Sequence, residues 1–122
     1  MNGHNYRKFR LSDKFISQYE DKEVPWGPVG YVTYKRTYAR LLSERDPDAV
    51  GTEEWYQTCR RVIEGMFDMQ KRHVTELGLE WIDSKSQKTA KDAYDRLFNL
   101  KWTPPGRGLW MMGTKFVEER TA

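Results

Sequence analysis

The feature that most constrains the fold is a long apolar stripe between residues 52 and 77. Large apolar side chains recur there at intervals of three and four residues, and they are Trp55, Cys59, Val62, Ile63, Met66, Phe67, Val74 and Leu77. This spacing places them on one broad face of an α-helix. Each contributes on the order of 1.5 to 3 kcal/mol when it is fully buried. The helix is therefore expected to anchor the core.

The two ends of this helix carry their own signals. Thr52 is predicted as the N-cap, with Glu53 and Glu54 in the first turn, where the helix dipole favours negative charge. Gly78 is the predicted stop, because glycine readily adopts the left-handed conformation that ends helices. The basic residues of the segment fall mostly off the apolar stripe, and they are Arg60, Arg61, Lys71 and Arg72.

Three further helices are predicted, at residues 12–20, 29–42 and 84–100. The first has Ser12 as its N-cap, and the last matches the spacing of a capping box at Ser84 and Gln87. The second shows a helical stripe of tyrosines, although its β-branched residues leave a strand start possible. The side chains expected to face the core are Phe15, Ile16, Tyr19, Tyr31, Tyr34, Tyr38, Leu41, Ala90, Ala93, Tyr94, Leu97 and Phe98.

The two prolines at 104 and 105 end the helical part of the chain, because proline lacks a backbone donor and restricts the residue before it. The predicted fold is therefore mainly α. A helical region covers residues 1–101, and an extended segment covers residues 102–122.

Composition limits the classes of protein that this chain can be. No apolar run approaches the roughly 20 residues of a membrane helix, and the N-terminus lacks the apolar centre of a secretory signal. We therefore expect a cytoplasmic protein without a membrane partner.

One cysteine and two histidines cannot close a zinc site unaided, so no metal site is expected. Cys59 is interpreted as a small buried apolar residue.

Positive charge is concentrated towards the N-terminus. Residues 1–45 hold nine Lys or Arg against five Asp or Glu, and the whole chain has a net charge of +3. This surplus is smaller than the dense basic stripe of most nucleic-acid-binding proteins, so no specific nucleic acid is expected as a partner.

Arg36 and Arg40 share a face of the predicted second helix. They are either solvated or salt-bridged, or they dock to a phosphate or carboxylate elsewhere in a larger protein.

The segment WTPPGRGLWMMGT at residues 102–114 is surplus to a four-helix bundle. Gly106 and Gly108 allow the backbone to come close to a ligand, and Arg107 between them has room to reach an anion. The glycines match neither a phosphate loop nor a dinucleotide-binding pattern. No Ser-His-Asp or Cys-His set with a plausible third partner is present. The segment is either an arm that packs across the helices, with Arg107 in solvent, or an anion-contacting element.

Three segments together resemble a known family: GYVTYKRTYAR at 30–40, RRVIEGMFDMQKRH at 60–73 and PPGRGLWMMGT at 104–114. In this order and at this spacing they are similar to the N-terminal region of adenosylcobalamin-dependent (class II) ribonucleoside-triphosphate reductases. VTYKRTYAR and P-x-G-R-x-L-W-x-x-G-T are distinctive of that family. The resemblance runs from about Trp26 to Arg120.

The resemblance implies helices that pack outside a ten-stranded catalytic α/β barrel, with residues 102–122 leading into its first strand. In that family cobalamin generates a thiyl radical on a cysteine, and a cysteine pair reduces the ribose. Cys59 matches no catalytic cysteine of the family, so no catalytic residue is expected in this chain. By position, Arg107 and Gly108 are candidates for the nucleotide end of the substrate site. The residues expected to dock to the rest of the enzyme are Arg36, Arg40, Leu109, Trp110 and Met112.

The chain is therefore expected to be an N-terminal piece of a split, interrupted or truncated reductase, which binds no cofactor and has no turnover alone. The complete enzyme would use adenosylcobalamin, ribonucleoside triphosphates, a deoxynucleotide effector and a thioredoxin-type reductant to make deoxyribonucleotides for DNA replication. Two alternatives remain open. One is an independent small helical protein-binding module, and the other is a weak nucleic-acid binder.

Overall fold

The computed structural model describes residues 6–24, 28–44 and 46–102. They form four α-helices and a short 3-10 helix, which are α1 (Asp13–Glu20), α2 (Pro28–Thr37), the 3-10 helix (Leu42–Glu44), α3 (Trp55–Glu76) and α4 (Asp83–Phe98). α3 and α4 pack as an antiparallel hairpin, and α1 packs against α3. These three ranges contain no strand, only an isolated antiparallel β-bridge between Leu41 and Thr52. The prediction of a mainly helical fold is confirmed.

Two helix ends agree with their sequence signals. The Ser12 side chain accepts a hydrogen bond from the backbone N–H three residues later at 3.2 Å, and so it caps α1. Gly78 follows α3 with a φ of 75°, a conformation that costs glycine little. Its N–H donates to the Thr75 carbonyl at 3.0 Å, and the Leu79 N–H donates to the Val74 carbonyl at 3.1 Å. These bonds satisfy carbonyl groups that the end of a helix leaves open.

Two predicted N-caps are wrong. α3 begins after Glu54, whose N–H donates to the side chain of Gln57 at 2.8 Å. The predicted cap, Thr52, is instead held in the β-bridge, so the backbone stays extended until Glu54. α4 begins after Ile82, and the predicted cap Ser84 therefore lies inside the first turn of the helix.

α2 ends five residues before its predicted end at residue 42. The chain then turns and runs antiparallel to the segment that precedes α3. The Glu53 N–H donates to the Arg40 carbonyl at 2.8 Å, and the Leu42 N–H donates to the Gly51 carbonyl at 3.0 Å. Leu41 was expected on the buried stripe, but this pairing leaves it 55% exposed.

The core lies between α1, α3 and α4 and is dominated by aromatic rings. The ring of Tyr94 lies 4.7 Å from that of Tyr19 and 5.3 Å from that of Phe15, and Tyr19 also contacts Phe98 at 5.0 Å. The buried apolar residues are Phe9, Leu11, Ile16, Tyr19, Tyr34, Trp55, Cys59, Val62, Ile63, Phe67, Ala90, Tyr94, Leu97 and Phe98. The predicted inner faces of α1, α3 and α4 are thus largely correct, although Leu77 at the end of the α3 stripe is exposed.

Residues 6–11 form an extended strap along α3 that the sequence pattern did not reveal. The backbone N–H of Phe9 donates to Asp68 Oδ1 at 2.9 Å, and that of Leu11 donates to Glu64 Oε2 at 2.8 Å. The spacings agree, because two residues of extended chain span about 6.6 Å and four residues of helix span about 6 Å. Phe9 and Leu11 are buried, so the strap completes the core on this side of α3.

Candidate functional site

Arg61 lies in the interior near the start of α3, with its side chain 1% exposed. Its Nε donates to Glu53 Oε2 at 2.9 Å, and its Nη2 donates to Glu53 Oε1 at 3.1 Å. Arg61 is thus buried, although it belongs to the basic residues that the sequence places mostly off the apolar stripe. Its planar guanidinium meets the carboxylate at two points, which compensates for removing both charges from water. Glu53, expected in the first turn of the helix, instead precedes α3 as the partner of this arginine.

The Glu53 carboxylate accepts two further hydrogen bonds. The Arg40 N–H donates to Oε1 at 3.0 Å, and the Thr58 hydroxyl donates to the same oxygen at 2.8 Å. The Tyr34 hydroxyl forms a short hydrogen bond with the Thr58 hydroxyl and lies 3.2 Å from the Glu53 carbonyl oxygen. Burial raises the pKa of Tyr34, which keeps its proton available for donation. We refer to Tyr34, Glu53, Thr58 and Arg61 as the Glu53 anchor.

Two neighbouring side chains of α2 hold the backbone that precedes α3. Lys35 Nζ donates to the carbonyl of Glu53 at 2.7 Å and to that of Thr52 at 3.1 Å, and it reaches Glu54 Oε1 at 3.2 Å. The Tyr31 hydroxyl donates to the other oxygen of Glu54 at 2.8 Å. The segment at residues 30–40, which carries part of the family resemblance, therefore fixes the approach to α3.

The two arginines predicted as docking residues differ in their surroundings. Arg36 is exposed in the last turn of α2. Arg40 lies beyond the end of α2, where its Nη2 is 2.7 Å from Glu44 Oε1 and its Nε donates to the other oxygen at 2.9 Å. They do not share a helix face, because the chain leaves the helix between them. Their docking role remains a prediction.

The other predicted site residues lie outside the described residues, and they are Arg107, Gly108, Leu109, Trp110 and Met112. The described chain reaches Trp102, whose indole Nε1 donates to the Ala93 carbonyl at 3.3 Å. The chain therefore folds back against α4 as it leaves the helix. The substrate-binding and docking roles of the five residues remain predictions.

Cys59 is fully buried in the core. Burial, followed by the negative charge of Glu53, raises the pKa of this thiol well above its usual value. A thiol in this environment stays protonated at neutral pH and is shielded from reagents.

His73 is exposed on α3, and the described part of the chain brings no group of three His, Cys, Asp or Glu side chains into metal-binding range.

Within residues 6–24, 28–44 and 46–102, no helix combines the length and the apolar character needed to cross a bilayer.

Known proteins that resemble this chain agree on one family. The profile described as ribonucleotide reductase alpha domain matches residues 11–114. The probable adenosylcobalamin-dependent ribonucleoside-triphosphate reductase of Dictyostelium discoideum is 34% identical over 116 residues, which are 93% of this chain and 15% of that protein. The adenosylcobalamin-dependent ribonucleoside-triphosphate reductase of Lacticaseibacillus paracasei is 39% identical over 107 residues, which are 87% of this chain and 14% of that protein.

A solved structure supports the same assignment. The crystal structure of a B12-dependent (class II) ribonucleotide reductase matches with a TM-score of 0.72 and 33% sequence identity, over 88% of this chain and 14% of that chain. This chain thus spans 14 to 15% of the length of these relatives, and it matches their N-terminal region. Since the family profile extends over most of its residues, the chain belongs to the ribonucleotide reductase alpha domain family.

Proposed function

We propose that this chain supplies the N-terminal helical part of an adenosylcobalamin-dependent ribonucleoside-triphosphate reductase. The complete enzyme would reduce ribonucleoside triphosphates to deoxyribonucleotides for DNA replication in the cytoplasm. One observation carries the proposal: two relatives named for this activity align with 87 to 93% of the chain at 34 to 39% identity. Because the chain spans only 14 to 15% of those relatives, the proposed activity requires further polypeptide.

The residues of this chain do not fit the thiol chemistry of ribose reduction. That chemistry needs a hydrogen-abstracting cysteine and two reducing thiols near the ribose, with a cofactor that generates the radical. The sequence contains one cysteine, and it is buried in the core. We therefore assign no step involving adenosylcobalamin to the described residues. The cofactor, the deoxynucleotide effector and the thioredoxin-type reductant would act on the remainder of the enzyme.

The contribution of this chain is then to support and contact the catalytic part. Arg36 and Arg40 are proposed to face acidic groups of the remaining reductase polypeptide, with the bidentate geometry that arginine offers to carboxylates. Residues 102–122 are proposed to lead into the catalytic barrel, after a helical region at 1–101. Leu109, Trp110 and Met112 would make apolar contacts there, and Arg107 and Gly108 would lie near the nucleotide.

Reconstitution tests this function. The chain would be mixed with the Lacticaseibacillus paracasei reductase from which the matched N-terminal region has been deleted. Deoxynucleotide formation would be measured with ribonucleoside triphosphates, adenosylcobalamin and a thioredoxin-type reductant. We expect product from the mixture and none from either piece alone.

Two results would decide against the proposal. Product formation by the 122-residue chain alone would contradict the account of its chemistry. Failure of the mixture, with both pieces shown to be folded, would favour an independent binding module. Arg107→Ala in the active mixture tests the nucleotide contact and should raise the KM for the triphosphate. Lys101→Ala, which removes an exposed cation six residues earlier in the sequence, is the control.

A further inference from the structure

The strap at residues 6–11 contacts both helices of the α3–α4 hairpin. On one side, Lys71 of α3 donates from Nζ to the Arg7 carbonyl at 2.6 Å. On the other side, Gln87 of α4 donates from Nε2 to the Arg10 carbonyl at 2.7 Å. These contacts define a groove between the two helices, and the strap fills it. We call it the strap groove, and its side chains are Glu64, Phe67, Asp68, Lys71, Trp81 and Gln87.

The strap groove recognises the backbone of the segment that it holds. Asp68 Oδ1 accepts the Phe9 N–H at 2.9 Å, and Glu64 Oε2 accepts the Leu11 N–H at 2.8 Å. Beside the groove, Arg60 Nη2 donates to the Leu11 carbonyl at 2.9 Å. Every extended peptide offers such N–H and C=O groups, so these hydrogen bonds can hold other segments in the same conformation.

Two buried side chains give the groove a sequence preference. The ring of Phe9 stacks on that of Phe67 at 5.2 Å and meets the edge of Trp81 at 6.1 Å. Leu11, two residues later, is also buried, whereas the residue before each of them is exposed. This alternation is that of an extended chain with one side against a protein surface. The groove therefore selects a phenylalanine and a leucine separated by one residue.

Tyr6 adds a third point of recognition at the other end of the strap. Its hydroxyl donates to Asp68 Oδ1 at 2.7 Å, and the Arg72 guanidinium lies 5.1 Å from its ring centroid. A cation in this position is attracted by the face of the aromatic ring. The complete pattern that fits the groove is Tyr-x-x-Phe-x-Leu.

The helices have contacts of their own that do not involve the strap. Ser12, which joins the strap to α1, caps that helix with its side chain. α1 is held on the hairpin by Tyr19, whose ring lies 4.7 Å from that of Tyr94 and 5.0 Å from that of Phe98. Departure of the strap therefore opens the groove while α1, α3 and α4 stay packed.

From these observations we infer that the strap groove is a peptide-binding site, which takes the strap of a second copy of this chain when its own strap leaves. The sequence shown to fit the groove is the chain's own. A second copy offers the same backbone groups and the same three side chains, so exchange replaces each contact by an identical one. This inference goes beyond the proposed function and does not depend on it.

Fluorescence anisotropy with a labelled peptide of residues 6–12 tests the groove. The binding protein is the full-length Phe9→Asp chain, whose own strap leaves because an unpaired aspartate is costly to bury. We expect saturable binding. A control peptide with Lys8 and Phe9 interchanged should bind about tenfold more weakly or worse, because it places lysine in the aromatic pocket. Equal binding of both peptides, or of neither by a variant that circular dichroism shows to be folded, would overturn the inference.

The unmodified chain provides a measurement that needs no substitution. Covalent attachment gives the strap an effective concentration of about 1 mM or more, so the free peptide competes when it is supplied above that concentration. Hydrogen exchange at residues 6–11 of the chain should then accelerate, while α3 and α4 stay protected. The interchanged peptide should have no such effect. Unchanged exchange with the matching peptide in excess would contradict a groove that can be occupied from outside.

Mixing two full-length variants tests the second copy as the occupant. The Phe9→Asp chain keeps the groove and loses its strap, whereas the Asp68→Ala chain keeps the strap sequence and weakens its own groove. Analytical ultracentrifugation should show a mixed dimer that neither variant forms alone. Asp92→Ala in place of Asp68→Ala is the control and should give less mixed dimer, because its strap stays in its own groove. Peptide binding without a mixed dimer would overturn the second copy as the occupant.

Discussion

Glu53 Oε2 lies 2.9 Å from Arg61 Nε, in an ion pair whose side chains are 6% and 1% exposed. A charge that is buried this deeply depends on its partner, because it has lost its hydration and cannot recover it without unfolding. The pair also joins α3 to the loop after α2, since Glu53 accepts the Arg40 N–H. Its integrity therefore affects both the stability of the fold and the position of this loop.

Arg61→Met is expected to lower the free energy of unfolding by about 3 to 5 kcal/mol, because it leaves the Glu53 carboxylate buried without its cation. Urea denaturation followed by circular dichroism measures this change. Arg96→Met is the control, since Arg96 and Asp92 form an exposed ion pair at 3.0 Å. Its effect should be below about 1 kcal/mol. Equal effects of the two substitutions would show that the buried pair has no special role.

The apolar pattern of the sequence predicted the helices but could not predict the Glu53–Arg61 pair. Arg61 follows Arg60 and precedes Val62, and a basic residue of an amphipathic helix is normally placed on the solvent side. Its partner comes from outside α3, at a position that depends on where α2 ends. The end of α2 depends in turn on long-range pairing between residues 40–42 and 51–53, which local spacing does not encode.

The strap at residues 6–11 could not be predicted either, because it too depends on contacts between residues that are far apart in the sequence. Its hydrogen-bond partners, Glu64 and Asp68, are acidic residues on a helix and are normally expected in solvent. The sequence contains only one sign of this pairing, which is a matching distance. Four residues of helix from Glu64 to Asp68 rise by about the same length as two residues of extended chain from Phe9 to Leu11. The family resemblance, by contrast, was predictable, because it depends on short motifs in a fixed order rather than on tertiary contacts.

Asp68→Ala is expected to release the strap from α3. Asp68 Oδ1 accepts the Phe9 N–H at 2.9 Å and the Tyr6 hydroxyl at 2.7 Å, so its loss leaves a buried backbone donor without a partner. The cost is about 1 to 3 kcal/mol. Hydrogen exchange at residues 6–11 should accelerate more than exchange in α4. Asp92→Ala, which removes an exposed carboxylate, is the control and should leave the strap protected.

Leu100→Gly is expected to stabilise the chain. Leu100 follows α4 with a φ of 58°, where its N–H donates to the Leu97 carbonyl at 3.0 Å. The left-handed conformation costs a residue with a Cβ about 1 to 2 kcal/mol, and glycine avoids most of this. After the greater chain entropy of unfolded glycine is subtracted, the net gain is about 0.5 to 1 kcal/mol.

Two matched variants test the explanation for Leu100 by thermal denaturation. Leu100→Ala keeps a Cβ in the left-handed conformation and should not be stabilising. Gly78→Ala introduces a Cβ at a φ of 75° after α3 and should be destabilising by about 1 kcal/mol. A gain from Leu100→Ala equal to that from Leu100→Gly would mean that the leucine side chain, rather than the backbone conformation, is unfavourable.

Cys59 is expected to react with thiol reagents only when the chain unfolds. Its side chain is buried, and burial raises the pKa of the thiol, so the reactive thiolate is both rare and inaccessible. Labelling with a chromogenic disulfide should be slow in buffer and rapid in urea. Ser84→Cys in a Cys59→Ala background provides the control, because residue 84 is exposed and should react at once. Rapid labelling of Cys59 in the native chain would contradict its burial.

The Cys59 thiol is also expected to lower the free energy of unfolding at high pH, because the folded state holds the thiol proton more tightly than the unfolded state does. Below the ordinary thiol pKa of 9.0, both the folded and the unfolded states keep the proton, and pH has no effect through this group. Above it, the unfolded thiol ionises while the folded thiol stays protonated, so the free energy of unfolding decreases by up to about 1.4 kcal/mol per pH unit.

Buried tyrosines add a similar decline at higher pH, and Cys59→Ala isolates the contribution of the thiol. Urea denaturation between about pH 8 and pH 10 should show a smaller decline in the variant than in the unmodified chain. Parallel declines would mean that Cys59 ionises equally in both states, which its position in the core contradicts.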